Sequence, residues 1–368
     1  MIITCDKRDL ISAMNIAMRA VPARATMQIL ECARILTDGN VIHVTTNDME
    51  FGIDTILEGT VKEAGAICLD AKLFNDIARK LPSGTVTIST YETGETRITC
   101  GKSKFNLPGK SADDFLSLPS IEDGETVQVS QALFRNLVQK TIFCVAQNDS
   151  NKMMTGELLE VDGDKLTGVA LDGHRVAIRE LKFDRSHGNL KAIVPGRSLG
   201  EIAKLLNGGI NDMVNITFTY NHMAFQYDDT IIIVRLIAGD YFDYKKMLQM
   251  VSHYNTKVTV HAPDFIDSVN RAGTLVREGD RKPLIIQVAD SIINMSVSTN
   301  LGSTNEDLEV EQEGEDIKIG FNPKLLIDAI SAVDDDTVDW YMTGSKSPSF
   351  FKDDDAGYVY IVLPVNIQ

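Results

Sequence analysis

The sequence predicts an α+β chain made of three tandem copies of one helix–antiparallel-sheet module, and three observations lead there. A three-stranded meander recurs with a period of about 125 residues. An amphipathic helix opens each copy. After each meander comes a second helix, and these second helices align with one another.

The middle copy is the plainest. Residues 165–181, KLTGVALDGHRVAIREL, place two apolar β-rich runs on either side of Asp172-Gly173, a dipeptide suited to the positive backbone angles of a tight hairpin. A run at 157–161 and the Asp162-Gly163 turn add a strand upstream. The first third repeats the order as 32–36, a turn at Asp38-Gly39, 41–46, a turn at Asn47-Asp48 and 49–57; the last third repeats it as 284–288, a turn at Asp290, 292–298, a turn near 300–302 and 303–310.

The opening helices follow from apolar spacing: Leu10, Ala13, Met14, Ala17 and Val21; Phe134, Leu137, Val138, Thr141 and Val145; Phe265, Ser268, Val269, Ala272 and Val276. Ser130 and Asp264 stand near two of the starts as N-terminal caps. The second helices read DAKLFNDIARKL from Asp70, PGRSLGEIAKLL from Pro195 and NPKLLIDAISAV from Asn322. Phe74, Leu199 and Leu326 match, as do Leu81, Leu206 and Val333, and a cation (Lys72, Arg197, Lys324) is third in every copy. Strands at 85–107, 214–236 and 337–365 close the copies. The connectors at 108–124 and 239–255 are polar or carry proline, which sets the modules at 1–125, 126–250 and 251–368.

A chain of 368 residues suits two to three domains, and 43% apolar residues suffice for their cores. The start, MIITCDKRDL, has no basic stretch followed by an apolar run, and no run approaches membrane-spanning length, so a cytoplasmic protein is expected. Five scattered cysteines without a CxxC pair argue for buried thiols rather than disulfides or zinc. The net charge of −16 is unevenly spread: the six helical stretches carry about +8 together, leaving about −24 elsewhere. A shared helical surface would attract polyanions while the sheets repel them.

Several motifs have a structural explanation. Gly196-Arg197-Ser198-Leu199-Gly200 fits the G-x-S-x-G elbow of a serine hydrolase between a strand and a helix. Yet no glycine-rich oxyanion motif accompanies it, and the sister copies have Leu73 and Leu325 where Ser198 stands. Gly101-Lys102-Ser103 ends like a phosphate loop, but Thr96 takes the place of its first glycine. The acidic runs 334–336 and 353–355 read as solvated loops rather than cation sites. His174 lacks a second ligand at metal spacing. The apolar end at 358–368 reads as a final edge strand, since Pro364 cannot donate to a ladder, or as one wall of a peptide groove.

Together the three repeats, the ALDGHRVA corner at 170–177, LIAGDYFDY at 236–244, FNPKLL at 321–326 and YIVLPV at 360–365 resemble the bacterial sliding clamps, the β subunits of DNA polymerase III, over the whole chain. The resemblance implies the DNA clamp fold, with two chains in a head-to-tail ring, helices inside and sheets outside, and no catalytic residue, metal or cofactor. It implies a processivity factor that encircles duplex DNA and tethers polymerase, clamp loader and repair proteins through short peptides. By position it implies a cleft of Met154, Leu171, Gly173, His174, Arg175, Val176, Phe242, Lys246, Met247, Asn322, Leu325, Val362, Leu363, Pro364 and Val365. Arg24, Lys72, Gln147, Lys152, Arg197 and Lys324 would face DNA, and Phe105 and Leu107 would meet Thr274 and Leu275 of a second subunit. Leu171, Phe242, Lys246 and Asn366 depart from the family's usual threonine, proline, arginine and arginine, and Gln28 from a frequent proline. The other readings are a hydrolase acting through Ser198 and an acidic scaffold that never touches DNA.

Overall fold

The computed structural model describes residues 1–121, 123–147, 151–276, 282–353, 355 and 357–367. The first third runs β1 (Ile2–Asp6), α1 (Lys7–Ala17), β2 (Cys32–Asp38), β3 (Val41–Asn47), β4 (Phe51–Ile56), β5 (Gly59–Glu63), β6 (Ala66–Asp70), α2 (Ala71–Lys80), β7 (Thr85–Thr90), β8 (Glu95–Cys100) and β9 (Ser103–Pro108). The second runs β10 (Glu125–Ser130), α3 (Gln131–Thr141), β11 (Gly156–Leu171), β12 (Arg175–Pro195), α4 (Gly196–Leu205), β13 (Met213–Phe218), β14 (His222–Tyr227) and β15 (Thr230–Arg235). After α5 (Tyr244–Met250) the third runs β16 (Thr256–His261), α6 (Ala262–Gly273), β17 (Leu284–Ala289), β18 (Ile292–Thr299), β19 (Gly302–Glu309), β20 (Glu311–Gly314), β21 (Ile317–Phe321), α7 (Pro323–Ser331), β22 (Thr337–Met342), β23 (Ser349–Asp353) and β24 (Tyr358–Val362).

By contact density the chain divides into two compact units, residues 1–132 with 201–236 and residues 133–200 with 237–368. The first unit holds a five-stranded sheet, β5-β1-β7-β8-β9, and an eight-stranded one, β10-β13-β14-β15-β4-β3-β2-β6. In the second unit lie a seven-stranded sheet, β11-β12-β24-β23-β22-β16-β20, and a four-stranded one, β19-β18-β17-β21. The closing strand of one third therefore pairs with the meander of the third before it: Thr230 faces Thr55 and Val234 faces Phe51, while Tyr358 faces Arg179 and Val362 faces Arg175. The eight- and seven-stranded sheets thus each mix two copies, while the five- and four-stranded sheets each stay within one.

The first two strands of the middle meander run together as the single long strand β11. Tyr241 Oη donates to the carbonyls of Gly156 and Val169 at 3.2 and 3.1 Å, so the two ends of β11 lie side by side and the chain doubles back at Gly163, φ +63°. β12 follows the bend, its register shifting on both sides of Gly163.

Apolar helix faces build the cores. In the first unit Leu10, Met14, Phe74 and Ala78 pack with Ile3, Ile35, Val44 and Ile88, all fully buried. In the second, Phe265, Val269 and Leu326 pack around Trp340, whose indole stacks on Phe351 and donates to Ser349 Oγ at 3.0 Å. The five cysteines are free and buried, and burial pushes the Cys5 and Cys68 thiols up to about 12, so they stay protonated.

Some sequence expectations need correction. Helices α1, α3 and α6 end at Ala17, Thr141 and Gly273, so Val21, Val145 and Val276 lie beyond them; short 3-10 turns at Met18–Ala20 and Ile142–Cys144 follow the first two. Asp264 is not a cap: α6 begins at Ala262, with Pro263 suited to its first turn, and Asp264 instead bonds His261 Nδ1 at 2.8 Å. The last strand is not an edge. β24 lies between β12 and β23 and stops at Val362, two residues before Pro364, which has no N–H to continue the ladder. The second connector, read as polar chain, contains α5.

Glu157 is fully buried beside the α3 end, with Thr141 Oγ1 2.7 Å from Oε1 and no partner for Oε2 among the described residues. Burial, partly offset by the Thr141 bond, pushes its carboxyl up to about 8. Below the ordinary carboxylate range both states hold the proton. As pH rises towards 8 the unfolded chain ionises first, so the native state loses stability, by roughly 1.4 kcal/mol for each unit of the shift. Glu157→Gln is expected to flatten this decline in thermal melts between pH 5 and 8; parallel parent and variant profiles would refute it.

Candidate partner-peptide groove

The corner after β11 turns because Asp172 Oδ1 accepts from the N–H groups of His174 (3.0 Å) and Arg175 (3.2 Å), while Gly173 takes φ +84°. Arg175 then folds inward. Its guanidinium donates to Asp172 Oδ2 at 2.9 Å, to Asp328 and to the Phe143 carbonyl at 2.8 Å, and lies 5.4 Å from the Phe143 ring centroid. A buried cation so paired fixes the corner and leaves no free charge for a ligand.

Beside this corner is an apolar cavity of about 260 Å³ lined by Leu171, Gly173, Arg175, Val176, Met247, Met250, Pro348, Ile361 and Leu363. Ile361 comes opposite Val176 through the β12–β24 ladder, and the N–H of Leu363 bonds the His174 carbonyl at 2.9 Å, continuing the pairing past the strand. Met247 and Met250, one helical turn apart on α5, form the facing wall with adaptable side chains. Such a groove suits apolar anchors of a short peptide.

Of the residues expected in the cleft, Leu171, Gly173, Arg175, Val176, Met247 and Leu363 line this cavity. The others stand apart from its lining. Met154 packs in the cluster with Tyr241 and Met247, and Phe242 meets the Tyr241 ring edge-on. Lys246 pairs with Asp243 at 3.1 Å, His174 is exposed, and Val362 is core. Asn322 caps α7 by accepting from Lys324 N at 3.0 Å, the Leu325 carbonyl accepts from Tyr360 Oη at 3.0 Å, and beyond Pro364 the N–H of Val365 donates to Gly320. Met250, Pro348 and Ile361 were missed. The alternation of β24 pointed to Ile361, α5 was unrecognised, and Pro348 gave no signal.

The cations are exposed. Lys72, Arg197 and Lys324 each occupy the second position of α2, α4 and α7, and Arg24, Gln147 and Lys152 are also at the surface. A cation in the first helical turn opposes the helix dipole, so the thrice-repeated placement does not serve helix stability. Phe105 is exposed on β9 and Leu107 largely buried; Thr274 is exposed and Leu275 half-buried after α6. Neither β9 nor β19 has a strand on its outer edge among the described residues.

Ser198 is 7% exposed in the first turn of α4, and no hydrogen bond joins it to a histidine among the described residues. Asp334 pairs with Lys140, and Asp354 lies outside the described residues. Among the described residues no cluster of His, Cys, Asp and Glu is fit to hold a metal, and no helix is long and apolar enough to cross a membrane.

Family models of the DNA polymerase III beta subunit match in series: the N-terminal domain at residues 1–119, the central domain at 128–243 and the C-terminal domain at 252–366. The chain is 30% identical to the beta sliding clamp of Bacillus subtilis over 375 residues, and 30% to that of Staphylococcus epidermidis over 371, covering 98% of both chains each time. Among solved structures, a putative DNA polymerase III beta subunit from Eubacterium rectale superposes over the full length of both chains with TM-score 0.95 at 44% identity. The Bacillus subtilis sliding clamp does so with TM-score 0.94 at 28% identity.

Proposed function

The chain belongs to the DNA polymerase III beta-subunit family of DNA sliding clamps, and on that premise we propose that two copies close head to tail into a ring around duplex DNA. The ring is a non-catalytic cytoplasmic processivity factor, needs no cofactor, and tethers polymerase, clamp loader and repair proteins by peptides held in the groove of Leu171, Val176, Met247 and Leu363. Three modules, 1–125, 126–250 and 251–368, make up each copy. The serial family matches support these bounds.

One observation carries the ring. The last strand of one module pairs with the third meander strand of the module before it, twice and in one register: Thr230 opposite Thr55, Tyr358 opposite Arg179. Ser103, Thr230 and Tyr358 are equivalent, each first after its hairpin turn, and Glu306 takes the place of Thr55 and Arg179 in the ladder. The unused pair of edges, β9 and β19, remains for a second copy. The same register sets Ser103 opposite Glu306, Phe105 opposite Thr304 and Leu107 opposite Gly302. Thr304 is bonded to Ala272, and Leu275 lies beside Gly302, so Phe105 and Leu107 would reach Thr274 and Leu275. Lys102 and Lys104 flank one edge while Glu306, Asp307 and Glu309 lie on the other, a complementary match.

Arg24, Lys72, Gln147, Lys152, Arg197 and Lys324 make weak, screened contacts with the encircled DNA, which suits sliding better than a tight phosphate grip. After loader-driven assembly on nicked circles the protein is expected to co-elute with DNA at high salt and to leave when the circle is linearised. Retention that ignores linearisation would show binding without encirclement.

A further inference from the structure

The first unit carries a groove built like the second unit's. Across the β4–β15 ladder Ile233 faces Gly52, as Ile361 faces Val176 across the β12–β24 ladder. Two residues on, the N–H of Arg235 donates to the Glu50 carbonyl at 2.8 Å, as that of Leu363 donates to His174 at 2.9 Å. The corners also agree: Met49 takes φ +76° where Gly173 takes +84°. A methionine held in the left-handed region is uncommon, and the corner is kept in spite of it. The remaining cavity measures about 220 Å³.

The difference lies in what fills each groove. In the second unit it is open to solvent between α5 and β24. In the first, the connector Leu116-Ser117-Leu118-Pro119 is laid into it. A side chain at Gly52 would come within 2.2 Å of Leu118 Cδ2, so the absence of a Cβ there is what lets Leu118 seat, whereas the matching position in the open groove is Val176. Asn47, 6% exposed, holds the connector backbone: its Nδ2 donates to the Leu116 carbonyl at 3.2 Å while its Oδ1 accepts from Met49 N at 2.8 Å.

We propose that the first unit's groove is a second peptide-binding groove, whose resident ligand is the chain's own segment 116–119, seated through Leu118. Its ligand class is an extended peptide with leucine side chains two residues apart, one flank held by the Asn47 amide. The inference rests on the reading of the Leu363 groove as a peptide site, and the test separates the two.

The probe is a synthetic peptide of residues 113–120, DDFLSLPS, titrated calorimetrically into the full-length protein. The parent is expected to bind one peptide per chain and Leu118→Gly two; Leu118→Gly combined with Leu363→Arg keeps one, now in the first groove. Equal stoichiometry in parent and Leu118→Gly overturns the proposal. A parent that binds none while Leu118→Gly binds one supports it and strikes instead at the Leu363 groove. Gly52→Val gives an independent reading that needs no peptide: faster amide exchange at 116–118 is expected, and unchanged exchange there counts against a seated ligand.

Discussion

Phe105→Asp is expected to convert the proposed dimer into a folded monomer at micromolar concentration, read by sedimentation equilibrium. Phe105 is 36% exposed on β9 and is not a member of the first unit's buried core cluster. In the proposed register it meets Thr304, whose hydroxyl is tied to the Ala272 carbonyl at 2.8 Å, so the variant carboxylate enters a strand edge with no cation opposite. Burying an unpaired charge costs several kcal/mol, and each 1.4 kcal/mol is tenfold in association. A loss of at least about 100-fold follows. Lys104→Ala, a change at the rim, is expected to alter salt dependence more than affinity. A Phe105→Asp protein that sediments as parent would remove β9 from the interface.

Met247→Asp with Leu363→Asp is the second large effect, a loss of roughly 30- to 1,000-fold in affinity for a polymerase-tail peptide, the range spanned by strong anchors at interfaces. Both side chains line the cavity, Leu363 is exposed and Met247 is half-buried at the margin of the Tyr241 cluster, so an unchanged circular dichroism spectrum is expected alongside the loss. Lys246→Ala is the matched control, because that ammonium is exposed and already paired with Asp243. Anisotropy titration distinguishes them. Equal losses in both proteins would mean that the peptide follows charge near α5 rather than the apolar slot.

The three copies were legible because each is local: a hairpin corner, a helix period and a helix start can be read within some fifteen residues. Asp38-Gly39 and Asp172-Gly173 turn where their chemistry requires, and Phe74, Leu199 and Leu326 are fully buried at matching helical positions. What escaped depends on distant partners. The last strand reads as an edge because Pro364 follows it, and only the ladder to β12 reveals that β24 is central. Met250 belongs to a seven-residue helix whose lysines make it look like linker. Asp264 has the residue type of a cap, but Pro263 lets the helix start earlier. The acid at Glu157 looks like a surface residue until its strand is covered by α3.

Because β4 takes β15 as its neighbour, a growing chain has no partner for the 51–56 edge until residue 235 has left the ribosome. At about 5–20 residues per second that delay is roughly 10 to 35 seconds, during which a bare edge can recruit another nascent chain. Translation speed through the middle of the message, and any chaperone that shields the edge meanwhile, therefore bear on how much usable protein a cell obtains.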